Sequence, residues 1–156
     1  MRVADFLGRI RTNPSLAQWF TKGRAAQTTR SPVSASSSGI LPFLKTNNRD
    51  TDGSAIADLG FSLNLWNGSS MSLSITCGAF SPAIRNSVVL SLPATAELGA
   101  EDLANMRALL DAVIDVWAPD VAVATSSQLI AEMGGGMPWQ TRGWLNYSRS
   151  KDVSTN

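Results

Sequence analysis

Histidine is absent from this chain, and cysteine and tyrosine occur once each, as Cys77 and Tyr147. Histidine is the usual proton carrier near neutral pH and the commonest metal ligand. Without it there is no Ser-His-Asp or Cys-His pair and no HExxH helix, and one cysteine cannot build a structural zinc site. Catalysis would have to run on carboxylates, lysines or Tyr147, so the composition turns the reading toward a protein that works through its surface and needs no cofactor or metal. Cys77 has no partner within the chain, which fits a reducing compartment. Long apolar runs are also missing. Arg2, Asp5, Arg9 and Arg11 break up the first twelve residues, so nothing there resembles a signal peptide, and no stretch approaches a membrane span. A soluble, cytoplasmic protein is expected.

What is present is a globular composition, 44% hydrophobic and 16% charged, with five tryptophans. A length of 156 residues suits one domain, expected over 1–148 with a flexible tail over 149–156. Net charge is +1, but the charges are segregated. Residues 1–49 hold Arg2, Arg9, Arg11, Lys22, Arg24, Arg30, Lys45 and Arg49 against Asp5 alone. Residues 50–120 hold Asp50, Asp52, Asp58, Glu97, Glu101, Asp102, Asp111, Asp115 and Asp120 against Arg85 and Arg107. Segregation of this kind either produces a two-sided surface that steers a charged partner or is neutralised where the halves interleave in space.

Periodicity predicts helices first. Val3, Phe6, Leu7 and Ile10 recur at helical spacing, and Asn13-Pro14 reads as the start of a second helix carrying Leu16, Trp19 and Phe20 and ending at Gly23. Residues 31–39 read as a mobile polar loop, 40–45 as a short helical piece interrupted by Pro42, and 46–53 as a charged turn. Two period-2 runs then flank Asn67-Gly68: Leu59, Phe61, Leu63 and Leu65, and Met71, Leu73, Ile75 and Cys77. Residues directly opposite in a hairpin share a face, so the apolar sets must oppose one another. A two-residue loop would set Leu63 against Ser72 on the wrong face. An odd loop is required, and a three-residue loop of Trp66-Asn67-Gly68 would set Leu63 opposite Met71 and Phe61 opposite Leu73.

A third strand is expected at 87–92, a fourth over 121–125 and a fifth over 143–147. Between the third and fourth, residues 97–117 carry a stripe of Leu103, Met106, Leu109, Leu110, Val113, Ile114 and Trp117 opposed by Asp102, Arg107, Asp111 and Asp115. A short helix near 128–133 ends in a triple glycine read as a flexible connection. The pattern reads as α+β: N-terminal helices, then a mainly antiparallel sheet of about five strands with one long amphipathic helix packed on it.

Each chemical motif has a plainer rival. The triple glycine lacks the strand, helix and Lys-Ser or Lys-Thr of a phosphate loop. Asp50 and Asp52 lack the further oxygens of an EF-hand and read as a solvated turn. Asp111 and Asp115 share a helical face, as paired acid-base carboxylates would, but lie opposite the apolar stripe and so read as exposed or as part of a binding surface. Phe6, Trp19 and Phe20 interleave with the basic N-terminal residues, as in a nucleic-acid surface, yet their helical spacing assigns them to the core. Trp66, with Asn67 beside it at a tight turn, is a candidate interface anchor.

Leu59-Gly60-Phe61-Ser62-Leu63-Asn64-Leu65-Trp66-Asn67-Gly68 resembles the hairpin signature of the immunity protein 52 family. The resemblance continues in order through Trp19-Phe20-Thr21-Lys22-Gly23, Asn48-Arg49-Asp50, Cys77-Gly78 with Asn86-Ser87-Val88-Val89-Leu90, Trp117-Ala118-Pro119-Asp120 with Thr125-Ser126, and Gly143-Trp144-Leu145-Asn146-Tyr147. It covers most of residues 15–148. It implies a non-enzymatic antitoxin of bacterial polymorphic toxin or type VI secretion systems, whose partner is a cognate toxin, commonly a nuclease of restriction-endonuclease-like fold. Neither a membrane nor nucleic acid is then a direct partner. Such an inhibitor would occupy the basic cleft of a nuclease with carboxylates, which makes Asp50, Asp52, Asp111 and Asp115 interface candidates together with Trp66 and Asn67. The rival readings are a carboxylate-dependent enzyme and a nucleic-acid binder using the basic N-terminal helices.

Overall fold

The structure, a computed structural model, describes residues 1–21, 31–45, 49–54, 56–79, 85–93, 100–136 and 142–149. The chain divides into two compact units, Met1–Pro93 and Ala94–Asn156.

The first unit opens with helix α1, Arg2–Ile10, which buries Val3, Phe6, Leu7 and Ile10 as its spacing predicts. Asn13 then caps a turn by accepting from the Ser15 N–H at 3.0 Å. The expected second helix stops there, after a single 3-10 turn at Pro14–Leu16, and the chain extends into strand β1, Phe20–Thr21. The spacing of Leu16 and Trp19 reflects a different geometry. The Trp19 indole N–H donates to the Leu16 carbonyl at 2.9 Å, and the Trp19 carbonyl accepts from Val33 N–H at 2.9 Å. Both aromatic and backbone are thereby satisfied in the core without a helix. Residues 31–39 likewise depart from the expected mobile loop. They supply strand β2, Ser31–Pro32, and the start of helix α2, Ser37–Lys45, where the Ser36 hydroxyl accepts from Gly39 N–H in the manner of an N-cap. Pro42 sits inside α2, which runs through it without the expected interruption.

Strands β3 (Phe61–Trp66), β4 (Ser72–Cys77) and β5 (Ser87–Ser91) complete an antiparallel sheet of order β2-β1-β3-β4-β5. Leu63 pairs with Ile75 and Leu65 with Leu73, so four apolar residues share one dry face. The register differs from the three-residue loop, because the connection is longer: Trp66 pairs with Ser72, and residues 67–71 turn between them. Asn67 explains the length. Its Oδ1 accepts from Ser69 N–H at 3.0 Å, from the Ser69 hydroxyl at 3.2 Å and from Met71 N–H at 3.0 Å, while its Nδ2 donates to the Ser15 carbonyl at 3.3 Å. One amide side chain thus replaces the backbone bonds of a tighter turn and ties the loop to the segment after α1. Where β3 begins, Gly60 has φ +62°, and a Cβ there would stand 2.5 Å from the Ala79 nitrogen and the Cys77 carbonyl oxygen. Only glycine lets the two strands approach so closely at this point. Helix α2 packs on β3 and α1 on α2, which closes the core over the sheet's dry face.

The second unit contains helix α3, Ala100–Trp117, strand β6, Val121–Ala124, helix α4, Ser127–Glu132, and strand β7, Leu145–Ser148. Helix α3 packs on β6. The fourth and fifth strands read from the sequence exist, but they pair with each other as a separate two-stranded sheet instead of widening the first. The five-stranded count is completed by β1 and β2. Val116, outside the expected stripe, is the deepest apolar side chain described on α3, and Leu103 is exposed. Ser126 caps α4 by accepting from Leu129 N–H at 3.0 Å. The first two residues of the triple glycine close that helix, with Gly134 N–H bonded to the Ala131 carbonyl and Gly135 N–H to the Ile130 carbonyl. Of the expected tail, Arg149 is described: its N–H bonds to the Asp120 carbonyl at 2.9 Å, and residues 150–156 lie outside the described residues.

Asn67→Ala should destabilise the protein by about 2 kcal/mol, since it strips several hydrogen bonds from the loop at once. Ser70→Ala in the same loop should shift stability by less than about 0.5 kcal/mol. Urea unfolding of the two variants tests this, and equal effects would contradict the role of Asn67 as the loop's organiser.

Candidate functional site

The charged stretch before β3 is a built turn. The Gly53 N–H bonds to the Asp50 carbonyl at 2.9 Å, the Asp50 N–H bonds to the Ser54 carbonyl at 2.9 Å, and Gly53 takes φ +82°. The carboxylates help to hold it. Asp50 Oδ1 accepts from Thr51 N–H at 2.6 Å and from the Thr51 hydroxyl at 3.3 Å, and Asp52 Oδ1 accepts from Ser54 N–H at 2.8 Å. Each acid spends Oδ1 on its own turn. Both side chains are exposed. Hydrogen bonds from Ser54, first its side chain and then its backbone, hold the Asp52 carboxyl below its ordinary 3.8. The turn therefore presents two fixed carboxylates to solvent. Arg49, donating to the Gly53 carbonyl at 3.1 Å, moderates their field.

Trp66 and Asn67 sit together at the hairpin tip, both half-buried. The Trp66 indole N–H donates to the Ser69 carbonyl at 2.6 Å, so its polar edge is already engaged. Asn67 is committed to the loop. Asp111 and Asp115 are exposed one helical turn apart on α3 in the second unit. Asp111 accepts from Arg107 Nε at 3.1 and 3.2 Å, an exposed pair worth about 0.3–0.5 kcal/mol that offsets part of its charge. The structure thus joins the candidates in three pairs: an acidic turn, a hairpin tip and a helical face. Sequence reasoning passed over the exposure of Trp144, at 41%, and of Val121, at 43%, both in the second unit. The signal was present as a tryptophan just before a short strand, but a residue there reads equally well as part of a core.

Cys77, facing Phe61 across the β3–β4 ladder, is half-buried, and burial pushes its thiol up, so it stays protonated at neutral pH. Among the described residues no three of His, Cys, Asp and Glu gather where they could hold a metal ion, and no helix is long and apolar enough to cross a membrane.

A family model for immunity protein 52 matches residues 1–152 and so runs through both units. The chain belongs to the immunity protein 52 family. No curated protein and no solved structure matches it. Membership carries a toxin-neutralising role, and immunity proteins are generally non-enzymatic.

In this immunity protein the residues that carried the resemblance do mostly local work. Gly60 and Asn67 shape the hairpin, and Asn86 accepts from Ala79 N–H at 3.0 Å between β4 and β5. Ala118 N–H closes α3 on the Ile114 carbonyl at 2.8 Å, with Pro119 next. Gly143 and Asn146 exchange two hydrogen bonds of 2.8 Å at the start of β7. Signature residues of this kind maintain the scaffold. The surface that distinguishes one toxin from another has to be sought among exposed side chains.

The Asp52 carboxyl should titrate below 3.8 in an NMR pH series. Because its folded value is depressed, its stabilising contribution is full above the unfolded value and is lost as pH falls through the folded one. Ser54→Ala should raise the midpoint toward 3.8. An unmoved midpoint would show that the Ser54 hydroxyl does not act on Asp52.

Proposed function

We propose that this immunity protein acts in the cytoplasm of the producing cell, where it binds and neutralises a cognate toxin of a polymorphic or type VI secretion system. The proposed toxin is a nuclease of restriction-endonuclease-like fold, and the proposed means is occlusion of its basic cleft. The observation that carries this reading is the preformed acidic turn of Asp50 and Asp52. It offers fixed carboxylates in place of phosphates, without the entropy cost of ordering a loop on binding. Asp111 and Asp115 form a second acidic element. The Trp66 ring supplies an apolar anchor among the first unit's candidates.

Electrostatic matching acts chiefly on the association rate and on partner choice. Cells that co-express the toxin encoded beside this gene should survive, and the two chains should co-purify. Replacing Asp50 and Asp52 by Asn keeps the Oδ1 acceptors while removing both charges. That double variant should slow toxin association about tenfold at low salt, with the difference shrinking as salt screens it. Stability should change by less than about 0.5 kcal/mol. The corresponding pair on α3, Asp111→Asn with Asp115→Asn, reports separately on the second element. Stopped-flow association rates identical to wild type for both double variants would remove the acids from the interface.

A further inference from the structure

The two edges of the five-stranded sheet are treated differently. At one edge, β2 is two residues long and carries Pro32, which has no N–H to donate. At the other, β5 spans Ser87-Val88-Val89-Leu90-Ser91, with neither a charge nor a proline to discourage pairing. Among the described residues, none of these five makes a hydrogen bond beyond its ladder with β4. The bond from Asn67 N–H to the Met71 carbonyl fixes which backbone groups face which way. It makes the odd-numbered residues of β4 those that face β3, so the even-numbered ones face β5. Since Ser74 pairs with Val89, the odd-numbered residues of β5 face β4, and Val88 and Leu90 turn their N–H and C=O groups outward. The adjoining face is open as well. Val89 is 53% exposed, and its row across the sheet continues through the exposed Ser74 and Asn64, where the Ser74 hydroxyl donates to Asn64 Oδ1 at 2.7 Å.

We propose that this edge is an interface between two copies of the chain, with β5 pairing antiparallel to β5 of a second copy about a two-fold axis at Val89. The strand is self-complementary. Read about Val89, the strand is chemically a palindrome, so a two-fold axis sets Ser87 against Ser91, Val88 against Leu90 and Val89 against itself. Val88 and Leu90 are the residues whose backbone groups point outward, and in that register each exchanges N–H···O bonds with the other. Hydroxyl then meets hydroxyl and aliphatic meets aliphatic, with no charge at the seam. The strand pair is short of the ~1,200–2,000 Å² of a standard stable interface, so association is concentration-dependent over about 1 µM to 1 mM.

Sedimentation velocity on the full chain, without toxin, tests this independently of the proposed inhibition. Wild-type protein should shift from monomer to dimer across that range. Two double variants read the register. Ser87→Lys with Ser91→Glu sets opposite charges across the seam and should keep or strengthen the dimer. Ser87→Lys with Ser91→Lys sets like charges there and should weaken it at least about tenfold relative to the first. Both positions are exposed, so both variants should retain the wild-type circular dichroism. A monomer at every concentration overturns the proposal, as does equal behaviour of the two variants. So does a result in which toxin binding, and not self-association, follows the charge pattern, since the edge would then receive a strand of the toxin.

Discussion

Four side chains fix the first unit: Leu63 and Leu65 of β3, and Leu73 and Ile75 of β4. All can be dry only if odd-numbered residues of one strand meet odd-numbered residues of the other. Each contributes about 1.5–3 kcal/mol on burial, so a slip of one residue, which would exchange the two faces, is strongly disfavoured. The hairpin is therefore obliged to use a loop of odd length, and Asn67 meets that demand with its own amide. Helix α2 then covers β3, α1 covers α2, and Trp19 fills the core beside the short strand that it precedes. The same parity sends Ser62, Asn64, Ser74 and Val89 to the opposite face. One alternation thus decides both what the unit hides and the uncharged surface that it shows.

How much of this was legible follows from how far each signal depends on sequence neighbours alone. Helix α1, helix α3 and the β3–β4 pair announce themselves through periodicity, and strands β5 and β6 through short apolar runs between breakers. Strands β1 and β2 do not, because two residues cannot display a period of two. Phe20–Thr21 becomes a strand only because Leu65 and Trp66 lie beside it, which is a tertiary fact. Leu16 and Trp19 mimicked a helix because a 3-10 turn shares the spacing of three. The number of strands in the main sheet was inferable, but its membership was not. Strands β6 and β7 found each other, and nothing local distinguishes that outcome from joining a larger sheet. Among the candidate site residues, exposure of the four acids was readable from their places in a turn and opposite an apolar stripe. Their grouping into separate elements, and the commitment of Asn67 to its loop, required coordinates.

A functional picture follows from the contrast between committed and uncommitted atoms. Family membership establishes an immunity protein, and the signature residues turn out to be occupied with caps, close approaches and loop bonds. Among the described residues, the exposed side chains include the carboxylates of Asp50, Asp52, Asp111 and Asp115 and apolar groups such as Trp144. An inhibitor needs such groups held still more than it needs them numerous, because ordering side chains on binding consumes affinity. In the Asp50–Ser54 turn each acid is bonded to a backbone N–H of the turn, which holds both carboxylates still at an exposed site.

Inhibition by occlusion has a stoichiometric signature that no catalytic detoxification shares. Titrating the purified protein into a fixed amount of its toxin, and following toxin activity after short and long incubations, tests this directly. Residual activity should fall linearly to a fixed equivalence point that does not move with incubation time. If amounts far below equivalence abolish toxin activity, progressively with time, the protein is turning the toxin over and occlusion is not its mechanism.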